Sequence, residues 1–264
     1  MNSKKVIICK PTNFEVDFQV NPKLDKRLKI DKTKVFGEYI ALRQALKDLG
    51  FEVIEINQEP NLPNMVYVGD WGFLEGDTFF VAKFKKTPRR KESKYARKLL
   101  EERGYKVATT PDRDYFSGAD LFKTKDKYYF GWGKRTAVKS QDHLEKFLDT
   151  TLIDFKITDH IYNHLNKCLG PIDDNNVVYY PDAFNMIEHA KVCYHFPNPI
   201  AISDEDAKLY ATSFIRIENN ILVPKGISEE LRTSLLGLGL NIIEIKVDEF
   251  VKGGQGLRSL CLFL

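Results

Sequence analysis

Two side chains near the end of the chain could attack an electrophile: Ser259 and Cys261 in KGGQGLRSLCLFL (252–264). They stand two residues apart, so an extended backbone would put them on one face. A thiol is the better prospect, because it ionises near pH ~8.5, whereas a serine needs a strong base beside it. Other polar groups fall where apolar runs end, the positions at which rigid elements present functional groups. Asp70 follows the run in MVYVGDWG, Ser117 and Asp120 flank the Gly-Ala turn of YFSGADLF, and Arg135 follows the run in FGWGKRT. His164 and Asn166 stand two apart in YNHLN, and Arg90 lies in TPRRK. Each also has a plainer reading: Asp70 and Asp120 as turn formers, His164 as a hydrogen-bonded structural histidine, Arg90 and Arg135 as solvated charges, and Cys261 as a small buried apolar group.

The elements that must position these groups repeat. ALKDLGFEVIEI (45–56), LLEERGYKVATT (99–110) and LRTSLLGLGLNIIEI (231–245) each read as a helix end, a glycine stop and a strand. SQDHLEKFLDTTLIDFKIT (140–158) and DAFNMIEHAKVCYHFPNPIAI (182–202) carry the same pattern more weakly. Between them lie strand pairs over 65–84, 121–133 and 214–224, with VVYYP (177–181) as a further strand, and the turns GD, KD and NN suit hairpins. Five ββαβ units therefore predict strands inside and helices outside a closed ring, with an open α/β sandwich as the alternative. No Pro-, Gly- or Ser-rich linker divides residues 1–264, so one domain is expected.

Composition narrows the chemistry. The chain is 43% hydrophobic and 29% charged with a net charge of +3, and its basic runs alternate with acidic ones. No broad basic face for nucleic acid is implied. The four cysteines, Cys9, Cys168, Cys193 and Cys261, form no CxxC pair, so no metal site is expected. The glycines 253, 254 and 256 precede no helix that could face a phosphate, so they do not read as a phosphate loop. The N-terminal apolar run is too short for a signal segment, and no stretch approaches the ~20 apolar residues of a membrane span. A cytoplasmic protein with reduced thiols is expected.

The motifs, taken in order, resemble the guanidino-group-modifying enzymes: arginine deiminases, arginine dihydrolases, dimethylarginine dimethylaminohydrolases and amidinotransferases. The likeness runs from KPTNFEVDFQVNP (10–22) through LPNMVYVGDWGFLEGDTFFVAKFKKTPRR (62–90), YFSGADLF, FGWGKRT and HLNKCLGPIDDNNVVYYPDAF (164–184) to the tail, and is most similar to arginine dihydrolase-type members. It implies a five-bladed α/β propeller, no cofactor and a small guanidino ligand, and it leaves homo-oligomerisation open. Such enzymes attack the guanidinium carbon with a cysteine thiolate to give a thiouronium intermediate, while a histidine moves protons and carboxylates grip the guanidinium nitrogens. The resemblance makes His164 the catalytic histidine, Asp70 a guanidinium-binding group, and Arg90 and Arg135 anchors for the substrate α-carboxylate. Asp120 matches the last acid of a Glu-Gly-Gly-Asp-like motif.

Three positions depart from the pattern. Ser117 stands where a catalytic acid is expected, Asn166 where an Asp is expected, and Ser259 where the nucleophilic cysteine is expected, with Cys261 two residues later. Three accounts follow: an enzyme whose Ser259 was introduced to trap substrate, a natural pseudoenzyme that binds a cationic guanidino ligand or a protein partner, or an enzyme using Cys261 from a shifted register. Deimination, dihydrolysis and amidino transfer all remain open for the active readings.

Overall fold

Gly50, Gly104 and Gly239 each follow a helix and carry φ of +82°, +85° and +74°, the left-handed conformation that ends a helix and that glycine adopts without steric cost. In this computed structural model, residues 4–16, 29–111 and 113–264 are described, without the side chains of Thr87 and Pro88. The motif over 10–22 therefore lies outside the described residues from position 17 onward.

After each of the five longer helices the chain returns as a strand parallel to the one before the helix. β1 (Lys5–Lys10), α1 (Lys32–Asp48) and β2 (Glu52–Asn57) form the first such unit. β3 (Gly72–Glu75), β4 (Thr78–Val81), α2 (Thr87–Glu101) and β5 (Lys106–Thr109) form the second. The third is β6 (Leu121–Lys123), β7 (Tyr128–Gly133), α3 (Ser140–Leu148) and β8 (Ile153–Ile157). The fourth is β9 (Leu169–Pro171), β10 (Asn176–Tyr179), α4 (Met186–His195) and β11 (Asn198–Ala201). A short helix, α5 (Asp204–Lys208), leads into β12 (Ile215–Ile217), β13 (Asn220–Pro224), α6 (Glu229–Gly237) and β14 (Asn241–Ile245). Last come α7 (Asp248–Val251) and β15 (Leu262–Phe263), which pairs antiparallel with β1 through Val6–Phe263 and Ile7–Leu262. The result is five three-stranded sheets, each with one antiparallel and one parallel pairing. This is the five-bladed α/β propeller expected from the repeats.

Burial explains why each helix stays on its sheet. α1 buries Val35, Tyr39, Leu42 and Leu46, spaced three or four apart, in one cluster with Val6 and Ile8 of β1. α2 buries Ala96, Leu99 and Leu100 with Phe79 and Val81. Each large side chain so covered contributes about 1.5–3 kcal/mol. The hairpins form at β3–β4 through Gly76–Asp77 and at β12–β13 through Glu218–Asn219, the latter one residue before the expected Asn-Asn turn.

The polar motifs do not sit on strands. Pro63–Val66 and Val68–Trp71 are 3-10 turns where the apolar run predicts a strand. Gly118–Asp120, Leu165–Lys167 and Leu257–Leu260 are 3-10 turns as well. A 3-10 turn separates residues i and i+2 by roughly two thirds of a revolution. His164 and Asn166 therefore do not share a face, and neither do Ser259 and Cys261. The Val68–Trp71 turn packs against Gly118–Asp120 and against Leu257–Leu260, and Gly118–Asp120 packs against Leu165–Lys167.

That close packing depends on missing side chains. A Cβ on Gly118 would lie 2.5 Å from the Gly72 carbonyl oxygen and 2.9 Å from that of Gly69, both backbone atoms that cannot swing away. Gly37, within α1, has nothing within 4 Å of its added Cβ. Gly118→Ala is expected to lower stability by about 1–3 kcal/mol, whereas Gly37→Ala should raise it by about 0.5–1 kcal/mol. Urea midpoints for the two variants check both signs.

Candidate functional site

Asp120 ends the 3-10 turn that Ser117 caps, the Ser117 hydroxyl accepting the Ala119 N–H at 3.3 Å. The Asp120 carboxylate is 1% exposed. It accepts from His164 Nδ1 at 2.8 Å, from the Leu165 N–H at 2.7 Å and from Thr136 Oγ1 at 2.5 Å. A carboxylate can only accept, so the proton sits on Nδ1 and the His164 Nε2 keeps its lone pair. Burial holds the His164 pKa below its usual value, against the pull of Asp120. The imidazole is therefore neutral at pH 7 and oriented as a base.

Ser259 and Asn166 meet from two different turns: Asn166 Nδ2 donates to Ser259 Oγ at 2.9 Å, and both residues are buried. The amide oxygen of Asn166, Oδ1, and Asp70 Oδ1 have no hydrogen-bond partner among the described residues. Asp70 Oδ2 accepts from Arg89 Nη1 at 2.7 Å.

Beside these groups a cavity opens to solvent, lined by His164, Ser117, Arg89, Arg135, Lys85, Lys86 and Lys167 among others. Of the residues singled out in the sequence, His164, Ser117 and Arg135 line it, while Asp70, Asp120, Asn166 and Ser259 lie in the buried layer beside it. Arg90 does not face the cavity. It is exposed, its Nη2 donating to the Lys85 carbonyl and to Tyr115 Oη, and it lines a separate depression. On α2, one residue rotates the side chain by about 100°, and it is Arg89 that turns inward. Cys261 is also displaced: it is 2% exposed, packs with Val6, Ile8 and Leu257, and burial pushes its thiol pKa well up. A buried, protonated thiol of this kind is inert.

Two residues were not legible as functional. Arg89 sends Nε to Glu92, Nη1 to Asp70 and Nη2 to Glu92 and the Tyr67 carbonyl, so each guanidinium nitrogen has a partner. Burial opposes its charge, but Glu92 and Asp70 together hold its pKa above the usual range. The i,i+3 spacing of Arg89 and Glu92 in RRKE was a usable signal for this pair. Lys167, three residues beyond His164, is 2% exposed, and its amine donates to Asn163 Oδ1 at 3.1 Å. Burial, helped by Arg135, lowers its pKa from 10.5 to about 7. Nothing in HLNK marks that lysine as buried. Among the described residues, no cluster of three or more His, Cys, Asp or Glu is arranged to hold a metal ion, and no helix is long and apolar enough to cross a membrane.

The family model described as "N,N dimethylarginine dimethylhydrolase, eukaryotic" matches residues 6–262. The chain belongs to this family. The Nostoc bifunctional arginine dihydrolase/ornithine cyclodeaminase AgrE is 26% identical over 98% of the chain, which spans 37% of AgrE's length. The Mycobacterium tuberculosis N(G),N(G)-dimethylarginine dimethylaminohydrolase is 25% identical over 98% of the chain and 85% of that relative. The N-terminal domain of ArgZ, a cyanobacterial arginine dihydrolase solved with product bound, matches with a TM-score of 0.93 at 23% identity, covering 99% of this chain and 97% of that one. These three relatives of this dimethylarginine dimethylhydrolase-family chain are guanidino hydrolases, and the fold is shared with them.

The buried Lys167 makes a prediction about stability. Below pH 7 its amine is charged in both the folded and the unfolded chain, and the folded state carries the full cost of burying that charge. Between pH 7 and 10.5 the folded form has released a proton that the unfolded form still binds, so stability rises with pH. Lys167→Met should therefore stabilise the ligand-free protein by on the order of a few kcal/mol at pH 6. The gain should shrink steadily toward pH 10. Chemical denaturation at both pH values reads the difference.

Proposed function

We propose that this protein is a non-hydrolytic member of the guanidino-hydrolase family, one that keeps a ligand cavity and an oriented histidine but does not break guanidino C–N bonds. One observation carries the reading: at the position the resemblance gives to the thiolate, the Ser259 hydroxyl has the Asn166 amide as its partner. An amide cannot take a proton from that hydroxyl, so Ser259 gains no nucleophilicity from it. Ser117, at the position of the expected acid, is occupied in capping its own turn. Asp70, the expected guanidinium-binding carboxylate, already holds the Arg89 guanidinium. Cys261 lies in the apolar core and supplies no alternative thiolate. Binding without turnover is compatible with a serine: a cysteine-to-serine mutant of the ArgZ N-terminal domain was solved bound to its substrate. The four cysteines are unpaired, which supports a cytoplasmic setting.

Incubation with L-arginine and with N(G),N(G)-dimethylarginine, followed by mass spectrometry for citrulline, ornithine and released amine, tests this directly. No product above the protein-free control is expected. Ser259→Cys alone should recover a trace. Ser259→Cys combined with Ser117→Glu and Asn166→Asp should exceed it by at least ~10²-fold, the usual worth of acid–base groups. Turnover by the unaltered protein that Cys261→Ala abolishes would overturn the reading.

A further inference from the structure

The cavity wall carries five cationic side chains and no carboxylate. The acids behind it are largely engaged: Glu92 and Asp70 Oδ2 hold Arg89, and Asp120 accepts from His164, Thr136 and a backbone N–H, while Asp70 Oδ1 has no partner among the described residues. The Arg89 charge is thereby balanced by two carboxylates. Arg135 is different. It has no hydrogen-bond or ion-pair partner among the described residues, and burial and the nearby Arg89 charge both disfavour its protonated form. Lys167 is repelled in turn by Arg135, and its amine has one oxygen partner, Asn163 Oδ1, besides the Tyr210 ring at 5.6 Å. Lys86 feels the same Arg135 charge. Like charges held together in a low-dielectric recess are costly, and an anion placed among them relieves each one. A guanidinium cation would add to the repulsion instead. Between the cations, Phe84 and Phe116 offer apolar wall, which suits a short carbon spacer rather than a compact inorganic anion.

We propose that the cavity takes a small dicarboxylate, with one carboxylate on Arg135, the other on Lys167, and the spacer against Phe84 and Phe116. This rests on the non-hydrolytic reading, and it changes the ligand's charge from that of the relatives' substrates. Arg135 serves as the carboxylate anchor that the resemblance implies; Lys167 supplies the second anchor. Arginine's fork receives a carboxylate through two parallel N–H bonds, and the lysine ammonium, with donors to spare, receives the other end as a point charge.

Isothermal titration of the full chain with succinate, glutarate and L-arginine at pH 7 decides it. At least one diacid should bind about tenfold or more tightly than L-arginine. Arg135→Gln and Lys167→Gln should each weaken that diacid by about tenfold or more, while melting curves confirm that both variants fold. Binding of L-arginine as tight as that of either diacid, no diacid binding, or diacid binding unchanged in both variants would overturn the proposal. The two readings fail separately. Diacid binding together with arginine turnover would remove the non-hydrolytic reading alone, whereas absent turnover with no diacid binding would remove the anion site alone.

Discussion

A buried carboxylate must be surrounded by donors, and Asp120 is the point at which this chain meets that constraint. Its two oxygens take a proton-bearing nitrogen from His164, a backbone N–H from the same turn as His164, and the hydroxyl of Thr136 from beyond β7. Removing any one would leave the buried charge short of a donor, a cost of about 1–3 kcal/mol. The requirement fixes the Gly118–Asp120 and Leu165–Lys167 turns against each other and sets the tautomer of His164. Gly118 and Gly69 lack side chains because the turns could not otherwise come this close. A second carboxylate set, Asp70 and Glu92, does the same for Arg89, with Trp71 Nε1 donating to Glu92 at 3.1 Å.

These two networks form a frame beside the cavity. Ser259 and Asn166 pair with each other within it, while Asn166 Oδ1 and Asp70 Oδ1 have no partner among the described residues. What matters on the open side is its charge. Ser117 stands where the resemblance places an acid, Lys167 and four other cations bound the cavity, and Asp120 and Asp70 Oδ2 hold the frame. The non-hydrolytic reading and the dicarboxylate ligand both draw on this distribution of charge.

The sequence carried the blades well because their signals are local. Glycine after a helix, as at Gly50, Gly104 and Gly239, and alternation in runs such as IEINQ or FIRIE, depend on nearest neighbours. The site was only partly legible. Motif order located Asp70, Ser117, Asp120, His164, Asn166 and Ser259, which the structure gathers into one buried layer and its cavity. Their conformation was not visible, because a 3-10 turn of three or four residues is too short to show a period. That is why Ser259 and Cys261 were expected on one face, and why Cys261 looked available when it lies in the core. Arg89 and Arg90 are adjacent identical residues, and helix phase alone separates the buried one from the exposed one. Lys167 is a charged residue by type, and charged residues are almost never fully buried without a partner; its burial involves residues distant in the chain, such as Tyr210.

The central claim is that the cavity holds a desolvated Lys167 amine, its charge opposed by burial and by Arg135, beside a neutral, oriented His164. NMR titration of the Lys167 ε-amine in the ligand-free protein tests it most directly. A midpoint near 7, well below the ordinary 10.5, is the predicted result. A midpoint at the ordinary lysine value would mean that the amine is solvated or paired, and would contradict the account.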